Sequence, residues 1–158
     1  MKNKLLAAGL GIFLSAGFVA ESLAQSVNGM VNTRKGAMAL QGKYMFQLVN
    51  IVQGKAPYDA ATVQRNADYL AVLTTMPWED FQPATAGAQN TRAKDDIYKD
   101  APKFKSSIEK LQSEIKVLQT AARGGNQATV GAAVKNAAQT CNACHEAFTS
   151  YNGRFRFE

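Results

Sequence analysis

Apolar side chains along this chain return in alternating steps of four and three residues, the spacing that keeps them on one face of an α-helix. The pattern first shows from Ser26 to about Gly54, where Val31, Lys35, Met38, Gly42, Met45, Val49 and Val52 form the stripe. Gly36 and Gly42 lower helix propensity there and predict close packing against a helix or a ring. Gly54-Lys55-Ala56-Pro57-Tyr58 breaks this helix, and Asp59 is placed to cap the next. That second helix is predicted from about Ala60 to Thr75, with Val63, Asn66, Leu70 and Leu73 inward and Pro77 as its stop. The pattern then lapses until about Asp100, over a connection that carries Trp78, Phe81, Pro83 and Gly87, with a helical turn predicted around Asp95 to Lys99. Connections this long are commonly functional or ordered against a ligand. The third helix is the clearest: Asp100 caps it, Pro102 sits in its first turn, and Phe104, Ile108, Leu111, Ile115, Leu118 and Ala122 keep strict spacing until Gly124-Gly125 ends it. The fourth begins near Asn126, with Val130, Val134, Ala137, Cys141, Cys144 and Phe148 as its seam and Gly153 at its fraying end.

Four helices joined by short, long and short connections predict an all-α, antiparallel four-helix bundle, a fold that holds cofactors between facing helices. No strand alternation and no internal repeat competes with it.

The start of the chain changes the picture of where the protein works. Met1-Lys2-Asn3-Lys4 is a positively charged opening, Leu5 to Ala20 is an apolar run, and Ser22-Leu23-Ala24 offers small residues where a signal peptidase reads. Residues 1–24 are therefore expected to be a secretory signal peptide, with cleavage before Gln25, and residues 25–158 a single domain. The competing reading is an uncleaved anchor, for which the apolar core is short. No later stretch is apolar enough to span a bilayer, so a soluble, exported, periplasmic protein is expected. Lys2, Lys4 and Glu21 leave with the signal, taking the formal charge from +6 to +5. That balance suits an acidic redox partner or an anionic surface. The cations are scattered, with no aromatic-interleaved basic patch to suggest nucleic acid.

Candidate chemistry is concentrated in Cys141-Asn142-Ala143-Cys144-His145, a C-x-x-C-H run that holds both cysteines and the only histidine of the chain. Such a run reads as a c-type haem attachment site. The two thiols add across the haem vinyl groups as thioethers, and the adjacent imidazole is placed to bind the iron. A redox dithiol is a weaker reading because no βαβ pattern accompanies it. Zinc lacks a fourth ligand within the chain, and two cysteines three apart on a helix are poorly placed to close a disulfide. The cysteines fall on the stripe of core positions, which puts haem c, one per subunit, inside the bundle.

Taken in order, Arg34-Lys35-Gly36, the Gly-Lys-Ala-Pro-Tyr-Asp run at 54–59, Pro77-Trp78 with Phe81, Thr91-Arg92-Ala93-Lys94, and Cys141 to Phe148 make the chain similar to the cytochrome c′ family, including its low-spin relatives. The resemblance implies a five-coordinate, high-spin haem with an open distal face, usually in a homodimer packed through the first two helices. It implies Arg34 near a haem propionate, with Lys35 where a glutamine often stands, and Trp78, Phe81, Thr91 and Phe148 about the haem. One departure is plain: many members carry Arg or Lys four residues after the histidine, where this chain has Thr149.

Met38 decides between functions. The resemblance puts it over the distal side of the haem, where a coordinating thioether makes a closed electron carrier and an unbound one makes an apolar lid. Met45 reads as core, and Met30 and Met76 are weaker ligand candidates. The leading expectation is a non-enzymatic binder of nitric oxide and CO that takes part in electron transfer with an unidentified redox partner. The alternative is a low-spin carrier with Met38 as sixth ligand. An enzyme is the third option, and it lacks a distal histidine for acid–base work.

Overall fold

The computed structural model describes residues 12–151 and 153–157, with side chains from Ser26 onward. The predicted signal segment falls outside the described residues as far as residue 11, and helix α1 spans Ile12–Val52 without a break at the expected cleavage point. The other helices are α2 (Ala60–Leu73), a short α3 (Asp96–Lys99), α4 (Ala101–Gly124) and α5 (Gln127–Phe148). Between α2 and α3 the connection is tightened by two 3₁₀ turns, Trp78–Asp80 and Pro83–Thr85. Among the described helices none is long and apolar enough to cross a membrane.

The caps are where sequence chemistry puts them. Asp59 accepts from the Thr62 N–H at 2.9 Å, Asp100 from Lys103 at 3.2 Å and Asn126 from Thr129 at 2.9 Å, each satisfying an otherwise orphaned donor. Gly125 ends α4 at φ 68°, a left-handed conformation that glycine adopts without strain.

Four long helices pack as neighbours around a square: α1 on α2, α2 on α4, α4 on α5 and α5 on α1. Cross-helix bonds give their directions. Gln41 reaches Leu73 and Gln47 reaches Asn66, while Asp68 meets Gln119 and Gln112 meets Thr74, so α1, α2 and α4 alternate. Phe104 at the start of α4 faces Phe148 at the end of α5, completing the antiparallel bundle.

α4 buries its predicted stripe almost as read, with Phe104, Leu111, Ile115, Leu118 and Ala122 inside and Ile108 half-buried. In α1 the stripe is displaced by one residue over two turns. Arg34 and Gln41 are buried, whereas Lys35 is exposed and Gly42 half-buried. The cause is polar satisfaction: Gln41 donates to the Leu73 carbonyl at the end of α2 at 3.0 Å, and Arg34 has partners in the long connection. Among the described residues, no other segment comes within 4 Å of where a Cβ at Gly36 or Gly42 would stand. α2 stops at Leu73 rather than Thr75, because the Thr74 carbonyl is taken by Trp78 Nε1 at 2.6 Å and Gln112 Nε2 at 3.0 Å. α5 ends at Phe148, well short of Gly153, where Thr149 turns extended and its backbone pairs antiparallel with Ala93.

Candidate haem site

The buried side chains form two clusters. The larger joins all four long helices through Met45, Leu48, Val63, Leu70, Leu111, Ile115, Leu118, Val130 and Val134, with Cys141 packed against it. The smaller lies at the end of the bundle capped by the long connection. It holds Ile97, Phe104 and Phe148, with Trp78, Phe81, Tyr98 and Cys144 packed on it. The C-x-x-C pair therefore bridges the two clusters, one thiol on each.

Aromatic rings line the smaller cluster in a chain of contacts. Trp78 and Phe81 stack at 6.0 Å between centroids, Phe81 lies 5.1 Å from Phe104, and Phe104 meets Phe148 edge-on at 5.2 Å. Arg34 enters from α1 with its guanidinium carbon 4.5 Å from the centre of the Phe81 ring. Its Nη1 donates to Thr85 Oγ1 at 3.1 Å and to the Tyr98 hydroxyl at 3.3 Å, and those two hydroxyls are 2.6 Å apart. Its Nη2 is buried with no acceptor, although the residue is only 3% exposed. A buried charged donor without a partner is costly, and an anionic oxygen of the kind a haem propionate carries would satisfy it.

Met38 is half-buried, one turn from Arg34 and one from Gln41 on the inward side of α1. Lys35 is exposed, outside the aromatic cluster. Thr91 is half-buried and holds the connection's shape by accepting from the Ala93 N–H at 3.2 Å. That strand of connection is tied to the end of α5: Lys94 N–H donates to the Phe148 carbonyl at 2.9 Å, and Ser150 N–H to Arg92 at 2.8 Å. The structure thus gathers Arg34, Trp78, Phe81, Phe148 and Cys144 at one end of the bundle, and leaves Lys35 on the surface. An open groove of about 540 Å³ between α4 and α5, lined by Lys103, Lys110, Asn136 and Gln139, reaches Cys144 from outside.

Thr85, Tyr98 and Phe104 are site residues that pattern reading passed over. Phe104 reads as one more core position of α4, and Thr85 and Tyr98 lie where no periodicity marks them. Thr149 serves its own helix here: its N–H donates to the His145 carbonyl at 3.0 Å and closes α5.

The electrostatics of the motif separate the competing chemistries. Burial pushes the Cys141 thiol up to about 12, with the neighbouring Cys144 adding to it, and burial pushes Cys144 up to about 11. A redox dithiol needs a depressed thiol and a ready thiolate, the opposite of what this environment provides. The two cysteines are free. Among the described residues no group of three or more His, Cys, Asp or Glu is gathered for zinc. Burial lowers the His145 imidazole below its ordinary value, which keeps it neutral with a lone pair available to a metal.

Fold and site together define a class: a four-helix-bundle protein that carries haem through a C-x-x-C-H motif on its last helix. Comparison with known proteins agrees. The family described as Cytochrome C′ matches residues 29–149. Cytochrome c′ from Alcaligenes xylosoxydans xylosoxydans is 34% identical over 118 residues, 75% of this chain and 91% of that one. The crystal structure of cytochrome c′ from Rubrivivax gelatinosus superposes with a TM-score of 0.73 at 29% identity, covering 77% of this chain and 94% of that chain. A nitric oxide complex of a cytochrome c prime variant from Alcaligenes xylosoxidans gives the same TM-score at 31% identity, covering 79% and 97%. The chain belongs to the cytochrome c′ family, and haem c is its cofactor.

Proposed function

We propose that this protein is a periplasmic haem c protein that binds nitric oxide and CO at an open, apolar distal face and exchanges single electrons with a redox partner. It is a binding and carrier protein rather than an enzyme. The observation that carries the reading is the unpaired, buried guanidinium nitrogen of Arg34 among aromatic rings, in the same cluster as Cys144. It supports a haem with a propionate at Arg34. Cys141 and Cys144 form the thioethers and His145 supplies the axial imidazole. Trp78, Phe81 and Phe148 wall the ring, Thr91 holds the connection beside it, and Lys35 reaches a propionate from the surface. The iron supplies an open coordination position and a one-electron couple.

Met38 packs over the distal side without binding, a use that suits a flexible thioether against an aromatic surface. An apolar distal face gives nitric oxide and CO what they need, whereas bound O₂ calls for a hydrogen-bond donor. The nitric oxide complexes of the Alcaligenes xylosoxidans relative support gas binding here. The alternative is a low-spin carrier with Met38 on the iron.

The secretory segment, residues 1–24, directs export before the domain 25–158 folds. Self-association through α1 and α2 is supported by Leu40, Phe46, Tyr69 and Val72, large apolar side chains exposed on those two helices.

The test is the optical spectrum of the reduced protein with and without Met38→Ala. The expected result is a broad high-spin spectrum in both, with faster CO and nitric oxide binding in the variant. Sharp low-spin bands in the wild type, with gas binding appearing only in Met38→Ala, would establish the electron-carrier reading instead.

A further inference from the structure

The family match ends at Thr149, yet Phe155 and Phe157 beyond it lie against the bundle. Asn142, between the two cysteines, grips them with both ends of its amide. Its Nδ2 donates to the Phe155 carbonyl at 2.8 Å, and its Oδ1 accepts from the Phe155 N–H at 2.9 Å. Gln53, just past the end of α1, donates to the Arg156 carbonyl at 2.6 Å. Phe155 and Phe157 are half-buried against the larger cluster. The exposed Arg154–Glu146 pair at 3.7 Å adds little to this attachment.

Tyr151 lies just before the held segment. Its ring meets the His145 imidazole edge-on, with centroids 5.8 Å apart and planes at 87°. The Tyr151 N–H donates to Thr149 Oγ1 at 2.9 Å, and the Arg92 guanidinium lies 5.5 Å from the ring centre. The residue four after the histidine is committed to capping α5, so the contact on the imidazole here comes from an aromatic ring two residues further on.

We propose that the segment 153–157, latched by Asn142, holds Tyr151 as a positioning residue that sets the orientation of the His145 imidazole. An imidazole held only by its side chain and a metal can still turn about the bond between them. An edge-on ring restricts that turn through the preferred aromatic geometry. Groups around an axial ligand tune the metal through the ligand's orientation and basicity. The inference rests on His145 being the axial ligand.

The experiment uses the haem-loaded protein and reads the ferrous iron–histidine stretching band by resonance Raman. Tyr151→Ala shifts and broadens the band, while Tyr151→Phe leaves it in place, because the contact is made by the ring and not the hydroxyl. Asn142→Ala moves the band as Tyr151→Ala does, and it exposes the bonds after Arg154 and Arg156 to trypsin, read by intact mass. Neither residue belongs to the main core, so both variants keep the bundle. An unmoved band in Tyr151→Ala, or an equal shift in Tyr151→Phe, overturns the positioning role. Tryptic release as fast in the wild type as in Asn142→Ala overturns the latch. A wild type with no iron–histidine band, or one whose band survives His145→Ala, fails at the axial-ligand assignment, and the proposal falls with it.

Discussion

The two hydrophobic clusters of this bundle are made of different materials. The larger is aliphatic, draws on four helices and is closed on itself: Leu48, Val63, Leu118, Val130, Val134 and Ala137 show no exposure. Among the described residues there, Asn66 Oδ1 is the one buried side-chain atom left unmatched, and its amide nitrogen is bonded to Gln47. The smaller cluster is aromatic, is roofed by a connection and two 3₁₀ turns, and contains a buried cation with an unmatched nitrogen. The larger region is packed by aliphatic side chains, whereas the rings and unmatched cation of the smaller one suit the flat, anionic group proposed above. The shape of the second region follows from that: rings pack on rings, and a guanidinium needs an oxygen.

Truncations in the two regions separate them most strongly. Leu118→Ala, at a site with no exposure, is expected to cost about 2–5 kcal/mol in both haem-loaded and haem-free protein. It should leave the visible spectrum of the haem unchanged. Phe104→Ala removes the ring that touches Trp78, Phe81 and Phe148. It is expected to cost about 3–5 kcal/mol in the haem-loaded protein and to change the spectrum as well. Chemical denaturation followed by absorbance and circular dichroism measures both. Equal spectral effects in the two variants would erase the distinction between the clusters.

The same contrast governs what could be read from the chain. α4 buries only apolar residues on its inward face, so its spacing yields its core, while Asp100 and Gly124-Gly125 mark its limits. The haem motif is legible because two thioethers and an axial imidazole demand fixed spacing. α1 misleads at the haem end, where its inward positions are Arg34 and Gln41. Their burial depends on Thr85, Tyr98 and the Leu73 carbonyl, partners supplied by distant segments that leave no local trace. The grip of Asn142 on Phe155 is hidden for the same reason. An asparagine inside a motif and a phenylalanine in a polar tail show nothing until the chain folds back.

Arg34→Met sharpens the comparison with a smaller effect. In the haem-loaded protein it would remove the charge-assisted propionate contact proposed above, and a loss of about 1.5–3 kcal/mol is expected. In the haem-free protein it also removes the buried unpaired nitrogen, which offsets the lost bonds to Thr85 and Tyr98. There the change should stay within about 1 kcal/mol. Denaturant midpoints of both forms give the two values. Equal losses would mean that Arg34 serves the polypeptide alone.

The smallest effect concerns pH, and it too belongs to one end of the molecule. Burial holds the His145 imidazole below its ordinary value of 6.5 in the haem-free fold. The unfolded chain therefore binds a proton that the folded chain resists. The contribution is fully present above about pH 6.5 and is lost as pH falls through the folded value. The Tyr151 ring lies edge-on against the imidazole, and the Arg92 guanidinium lies over the Tyr151 ring. Haem-free wild type should lose stability as pH falls below about 6.5, whereas haem-free His145→Gln stays nearly flat over the same range. With haem attached and His145 on the iron as proposed, the imidazole nitrogen would be held against protonation, so the slope of the wild type should flatten as well. Urea midpoints across that range measure it. An equal slope in haem-free wild type and His145→Gln would move the proton to another group and detach this pH dependence from the haem end.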